Sequence, residues 1–336
     1  DKRINVICDE MKKYAVRQRV PVEGIYYKEG NFLRPRDAEA DGTPFAPFDS
    51  QRMHWYGPDR HYWFRAEITV PESFAGRSLW LHVRTQIDEW DDAKNPQFLL
   101  FVNDEIVQGM DMNHREVLLT REAKAGERYR LDLQAYTGIL HTEFNLIFEL
   151  REIDPDLEGL YWDLYVPLSA FPRLDPQDTR RMALERVMND AVNLLDLRTP
   201  YSDAYMDTVR QARAYLQKHL YEELGGHADI IASCIGHTHI DVAWWWTVAQ
   251  TREKVARSFA TVLKLMDEYP GYKFMSSQPQ LYAFLKERYP EMYARVKERI
   301  REGRWEPEGG MWLEGDCNLT SGESLVRQFI HGKRFF

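Results

Sequence analysis

Cysteine is scarce and scattered in this chain, with only Cys8, Cys234 and Cys317 among 336 residues. Three such positions make neither a disulfide framework nor a Cys-x-x-Cys site, and the simplest expectation is a reducing, cytoplasmic setting. Positive charge is also in short supply. Lys and Arg number 44 against 53 Asp and Glu, a net charge of −9, whereas a phosphate-tracking surface needs an excess of cations. No nucleic-acid partner is expected. No apolar run approaches the roughly 20 residues that span a bilayer, so no membrane partner is expected either. The first ten residues mix charges and do not read as a signal peptide. An initial Asp in place of Met suggests a processed or trimmed start. In a cytoplasmic setting the sequon Asn318-Leu319-Thr320 is expected to be silent. Internal repeats and low-complexity segments are missing as well.

What is present suits a water-soluble globular protein: 44% hydrophobic, 13% aromatic and 29% charged residues. A chain of this length suggests roughly two domains with a sizeable core. Residues 1–20 read as a charged N-terminal helix ended by Pro21. Residues 21–170 have a β texture. Trp63–Val70, Ser78–Val83, Gln97–Val102 and the alternating Arg128–Tyr136 are strand candidates, punctuated by Pro71-Glu72, Ala75-Gly76 and Asn103-Asp104. The expectation is an all-β sandwich, jelly-roll-like. Its Trp55, Trp63, Trp80 and Trp90 either pack a core or offer flat faces for sugar stacking.

Pro167, Pro172 and Pro176 mark a crossover into a helical connector over residues 171–228, with helices at Thr179–Met188 and Val209–Leu216 and a stop at Gly225-Gly226. Over residues 229–336 helices and strands alternate. Helices are expected over 253–269, 279–300 and from Ser324, with strands at Tyr272–Met275 and Trp305–Pro307. That alternation points to the start of an α/β, β/α-barrel-like domain.

The chemistry concentrates at Gly236-His237-Thr238-His239-Ile240-Asp241, after the apolar run Ile230–Ile235. The run reads as a buried strand of a parallel sheet. Alternation would put His237, His239 and Asp241 on one side of its carboxyl end, where α/β folds place ligands. Two imidazoles and a carboxylate suit zinc or a similar divalent cation. Alternatively each histidine is an ordinary hydrogen-bonded residue. A second segment, Gly303–Asn318, sets Glu306, Glu308, Glu314 and Asp316 among glycines and two tryptophans. It reads either as a polyol or metal site or as an acidic surface turn.

Gly236–Trp246, Phe274–Gln280 and Gly309–Gln328, in that order, resemble the motifs of glycoside hydrolase family 38, the retaining α-mannosidases, in their cytosolic and bacterial branch. The resemblance implies that His239 and Asp241 bind zinc, with His237 behind them as a supporting residue. It implies that Trp244 walls the mannose subsite, and that Asp316 and Asn318 lie on the substrate side. It further implies hydrolysis of terminal α-linked mannose from oligosaccharides, through a glycosyl-enzyme intermediate with retention. The family's nucleophile and acid are expected beyond Phe336, so no catalytic residue is nominated, and residues 1–336 are expected to be inactive alone and to hold metal weakly. A homo-oligomer stays open. Two other classes do too. One is a metal-dependent amidohydrolase or deacetylase using both His237 and His239. The other is a non-catalytic sugar-binding module.

Overall fold

The computed structural model describes residues 2–86, 96–225 and 231–336. Strands and helices are numbered in chain order. An antiparallel sheet runs β1 (Val16–Pro21), β12 (Ile147–Ile153), β6 (Leu79–Arg84), β9 (Glu116–Thr120). A six-stranded one runs β3 (Ala46–Pro47), β2 (Tyr26–Glu29), β5 (His61–Thr69), β10 (Arg128–Tyr136), β7 (Gln97–Val102), β8 (Glu105–Met110). A ribbon of β4 (Trp55–Tyr56) and β11 (Glu143–Phe144) flanks them. Leu79, Leu81 and Val83 of β6 with Phe148 and Leu150 of β12 meet Phe64, Ala66, Leu131 and Leu133 of β5 and β10 in one core. The sheets are open, and no closed barrel forms among the described residues.

The six-stranded sheet is buried on both faces. Phe64 of β5 points into the shared core, while its neighbour Trp63, with Leu99 and Phe101 of β7, joins a second cluster on the far side. A strand covered on both faces needs no polar alternation, which accounts for the unbroken run Phe98-Leu99-Leu100-Phe101. Trp55 and Trp63 are fully buried, so packing is their role; Trp80 is partly buried. Trp90 lies outside the described residues.

Helices α1 (Lys2–Ala15), α3 (Pro155–Ala170), α4 (Thr179–Asn193) and α5 (Asp203–Leu216) bury Ile4, Met11, Leu157, Leu164, Met188 and Val209 together. The short α2 (Pro35–Ala40) caps the six-stranded sheet through buried Ala38. Two boundaries differ from expectation. The first helix stops at Ala15 because residues 16–21 pair with β12 as an edge strand. α3 occupies the end of the stretch read as β: Asp154 caps it, Pro155 starts it, and Pro167 sits inside it. α5 continues as a π-helical stretch to Leu224.

The remaining elements are β13 (Gly236–His237), α6 (Val248–Glu268), β14 (Phe274–Met275), α7 (Pro279–Arg288), α8 (Pro290–Arg301), β15 (Trp305–Glu306) and α9 (Gly322–Phe335). The helix expected over 279–300 is two. Pro290 lacks an N–H and disfavours helical geometry in Tyr289, whose φ of −135° breaks the chain's course. β13, β14 and β15 pair in parallel, Gly236 to Phe274 and Phe274 to Trp305. Among the described residues no helix is long and apolar enough to cross a membrane.

Candidate metal and sugar site

The three parallel strands set the site. Behind them Phe274 and Trp305 meet at 4.7 Å and Phe259 of α6 touches Trp305 at 4.8 Å. Trp305 Nε1 donates to Tyr282 Oη at 2.9 Å, and that hydroxyl donates to Ser276 O at 2.7 Å. Burial drives the Tyr282 phenol well above its ordinary pKa, so it remains a neutral donor. The carboxyl ends of the strands are thereby fixed from below, and their loops converge above.

The run ahead of His237 is not a buried strand. Ile231 is 90% exposed and Ile235 53% exposed, and pairing begins only at Gly236. Ile230 lies outside the described residues. Burial of such a run must come from neighbouring strands and covering helices, and β14 is the neighbour β13 has in this sheet. The alternation argument fails with it. His239 and Asp241 belong to the loop after β13, and His237 is not part of the donor group.

That group is His239, Asp241 and Glu314, each offering one ligand atom within 4.8 Å of the others. His239 Nε2 lies 3.1 Å from Asp241 Oδ1, and its Nδ1 lies 3.3 Å from Glu314 Oε1. One residue ties these loops together. Gln278 is buried and holds a left-handed φ of 66° between β14 and α7. Its Nε2 donates to Ile240 O at 3.0 Å, clasping the backbone between His239 and Asp241. Its Oε1 accepts from the Glu314 N–H at 3.5 Å. A non-glycine residue in that region is strained, and such strain gathers at functional sites.

The three tryptophans divide. Trp244 and Trp245 are 65% and 58% exposed. Trp246 is anchored: its Nε1 donates to Asp241 O and to Thr251 Oγ1, both at 3.1 Å, and Lys254 lies over its ring. A cavity of about 800 Å³ is lined by His237, His239, Asp241 and Trp244 and also by Asp111 and His114 of the β-rich region. Burial would raise the Asp111 carboxyl's pKa, but the hydrogen bond and charge of His114 outweigh it and hold it below the ordinary value. Asp316 and Asn318 stand apart from this wall. Both are exposed, and Asp316 Oδ1 accepts from the Asn318 N–H at 3.2 Å in a local turn.

The donor set fits a zinc-sized cation. Ligands about 2.0–2.2 Å from a tetrahedral ion lie a little over 3 Å apart, close to the 3.1 Å between His239 Nε2 and Asp241 Oδ1. Sequence reasoning named His239 and Asp241 but passed over Glu314 and Gln278. Glu314 stood in view within the acidic glycine-rich segment. Gln278 carried no chemical signal beyond its place between a strand end and Pro279.

Residues 229–336 match the profile of the glycosyl hydrolases family 38 N-terminal domain. The whole chain aligns with Alpha-mannosidase G of Dictyostelium discoideum at 29% identity, covering 30% of that protein. It is 31% identical to Alpha-mannosidase 2C1 of Homo sapiens over 82% of this chain and 27% of the relative. With the Alpha-mannosidase of Saccharomyces cerevisiae the identity is 30%, over the same shares. The chain thus spans less than a third of the length of each of these relatives.

Proposed function

We propose, from the premise that residues 229–336 belong to glycosyl hydrolase family 38, that this chain is the N-terminal, sugar-holding portion of a retaining α-mannosidase. The protein acts on terminal α-linked mannose of oligosaccharides. The observation that carries the reading is the pairing of His239 and Asp241 beside exposed Trp244 at a parallel-sheet edge, inside the segment that matches the family.

His239 and Asp241 would hold the zinc. When bound, zinc supplies Lewis acidity and a template for vicinal hydroxyls. Asp241 brings the negative charge that makes a dication welcome here, and the clasp on Ile240 O keeps the two ligands in one geometry. Trp244 offers an exposed face against the apolar side of a sugar ring. Asp111 and His114 of the β-rich region line the same cavity. Asp316 and Asn318 contribute on the substrate side only if the turn between them reorients. No residue of this chain is assigned as nucleophile or acid. We infer further that the β-rich region ahead of α3 is a jelly-roll-like accessory domain, that residues 229–336 begin a β/α barrel, and that the protein works in the cytoplasm.

An amidohydrolase built on His237 and His239 together finds less support, since His237 stands outside the donor group. The test is hydrolysis of an aryl α-mannoside by the full-length parent protein. Cleavage that a chelator abolishes and zinc restores is the expected result. A folded, zinc-loaded parent that leaves the mannoside intact would overturn the reading.

A further inference from the structure

We propose that Thr251 of α6 is a positioning residue: through the Trp246 indole, its hydroxyl fixes the backbone at Asp241 and so aims that carboxylate at the metal. This inference rests on the zinc reading of the same site. A peptide unit is planar, so the direction of a residue's Cβ follows from the orientations of the two units that flank it. At Asp241 both units are held by side chains. Gln278 Nε2 donates to Ile240 O at 3.0 Å on one flank, and Trp246 Nε1 donates to Asp241 O at 3.1 Å on the other. The next carbonyl, Val242 O, accepts from the Thr251 hydroxyl. Three successive carbonyls are each taken by a different side chain.

Thr251 ties two of these contacts together. Its oxygen accepts from Trp246 Nε1 at 3.1 Å, while its hydrogen serves Val242 O. A helical threonine commonly returns its hydroxyl to the carbonyl four residues back, here Thr247 O at 3.3 Å. Trp246 and Val242 lie outside the helix, so the other two bonds serve the loop. Thr251 is fully buried, and it steadies the site without entering it. The start of α6 is itself fixed, by the capping box of Thr247 and Gln250 and by Gln250 Nε2 donating to Asp59 Oδ1 at 2.6 Å. A rigid helix end in the scaffold thereby sets the course of the loop that carries the metal-holding carboxylate.

The experiment uses the full-length protein and measures zinc affinity by competition with a chromophoric chelator. Thr251→Val keeps the branched shape and removes the hydroxyl, and it should weaken zinc binding about 10-fold. Thr251→Ser keeps the hydroxyl and should restore most of that loss. Trp246→Phe cuts the same link from its other end and should lose at least as much as Thr251→Val. Near-ultraviolet circular dichroism of the metal-free variants checks that they fold. A hydroxyl with a merely structural role would lower the denaturation midpoint and leave the zinc affinity of folded Thr251→Val at the parent's value, which would overturn the proposal. So would a Thr251→Ser variant as weak as Thr251→Val. Should Thr251→Val fail to fold, Trp246→Phe decides alone, and parental affinity there overturns the proposal. Asp241→Ala separates the two levels. If it too binds zinc like the parent, the zinc reading itself has failed; if it loses metal while Thr251→Val and Trp246→Phe do not, only the positioning role has.

Discussion

The body of α6 and the loop just ahead of it lie in contrasting environments. Along its length the helix is locked to the six-stranded sheet. His61 Nε2 and Glu253 meet at 3.0 Å, Arg257 donates to Gln97 Oε1 at 2.7 Å, and Gln250 reaches Asp59 at 2.6 Å. Thr261 donates to Gly109 O at 3.1 Å, where the two backbones touch. Just upstream, the loop holding His239, Asp241 and Trp244 is largely exposed and is held by a few main-chain clasps. Thr247 joins the two regimes through a capping box with Gln250. Stability and ligand binding are thus assigned to different parts of the chain. The scaffold bears buried charge and close contact, and the site keeps its polar atoms open to solvent.

The largest effect should come from unpairing the buried network. Glu253, His61 and Arg257 are 6%, 15% and 9% exposed in their side chains. Glu253→Ala removes the buried carboxylate that His61 and Arg257 share, and such losses cost about 3–5 kcal/mol. Urea denaturation of the purified chain should show it, and a loss below about 1 kcal/mol would mean that water reaches this interface. Gly109→Ala comes next. A Cβ there would stand 2.4 Å from Arg257 O, against helix backbone that cannot swing aside. Overpacking of this kind costs about 1–3 kcal/mol. An unchanged midpoint would show that α6 can back away from the sheet.

Acid sharpens the same contrast. Burial would raise the Glu253 carboxyl's pKa, but the His61 hydrogen bond and the charges of His61 and Arg257 outweigh it, and the net shift is downward. A carboxyl depressed in the folded state stabilises fully above its unfolded pKa of about 4.3, and that contribution is lost as pH falls through the lower folded value. The stability gap between the parent and Glu253→Gln should therefore hold at neutral pH and close below about pH 4. A gap that persists unchanged well below pH 4 would refute the pairing.

How far the sequence could be read follows the same division. β10 was legible because its apolar and polar positions alternate, and β7 because a short apolar run is closed by the turn residues Asn103-Asp104. α3 was not: Leu160, Tyr161, Trp162 and Leu164 show no clean face, and Pro167 argued against a helix that tertiary packing nonetheless holds. The run before His237 misled, since its apolar character says nothing about which neighbours cover it. At the site, spacing offered His237, His239 and Asp241 together, and only the family resemblance singled out His239 and Asp241, which one loop carries. Glu314 could not be found either way, because its place beside His239 depends on Gln278, a strained residue on a different loop.

The smallest expected effect is the most direct check on the contrast. The side chains of His239, Asp241 and Glu314 are 51%, 37% and 52% exposed, and His239 packs against no hydrophobic cluster. His239→Ala without metal should leave the denaturation midpoint within the roughly 0.5 kcal/mol of an ordinary surface change. Asp241 and Glu314 lose the ring they share, but both keep access to water. In the presence of zinc the parent should gain stability through binding to the folded state, and the variant should not. A His239→Ala variant destabilised by several kcal/mol without metal would make this histidine part of the scaffold. The separation between a buried interface and an open site would then fail where it was expected to be clearest.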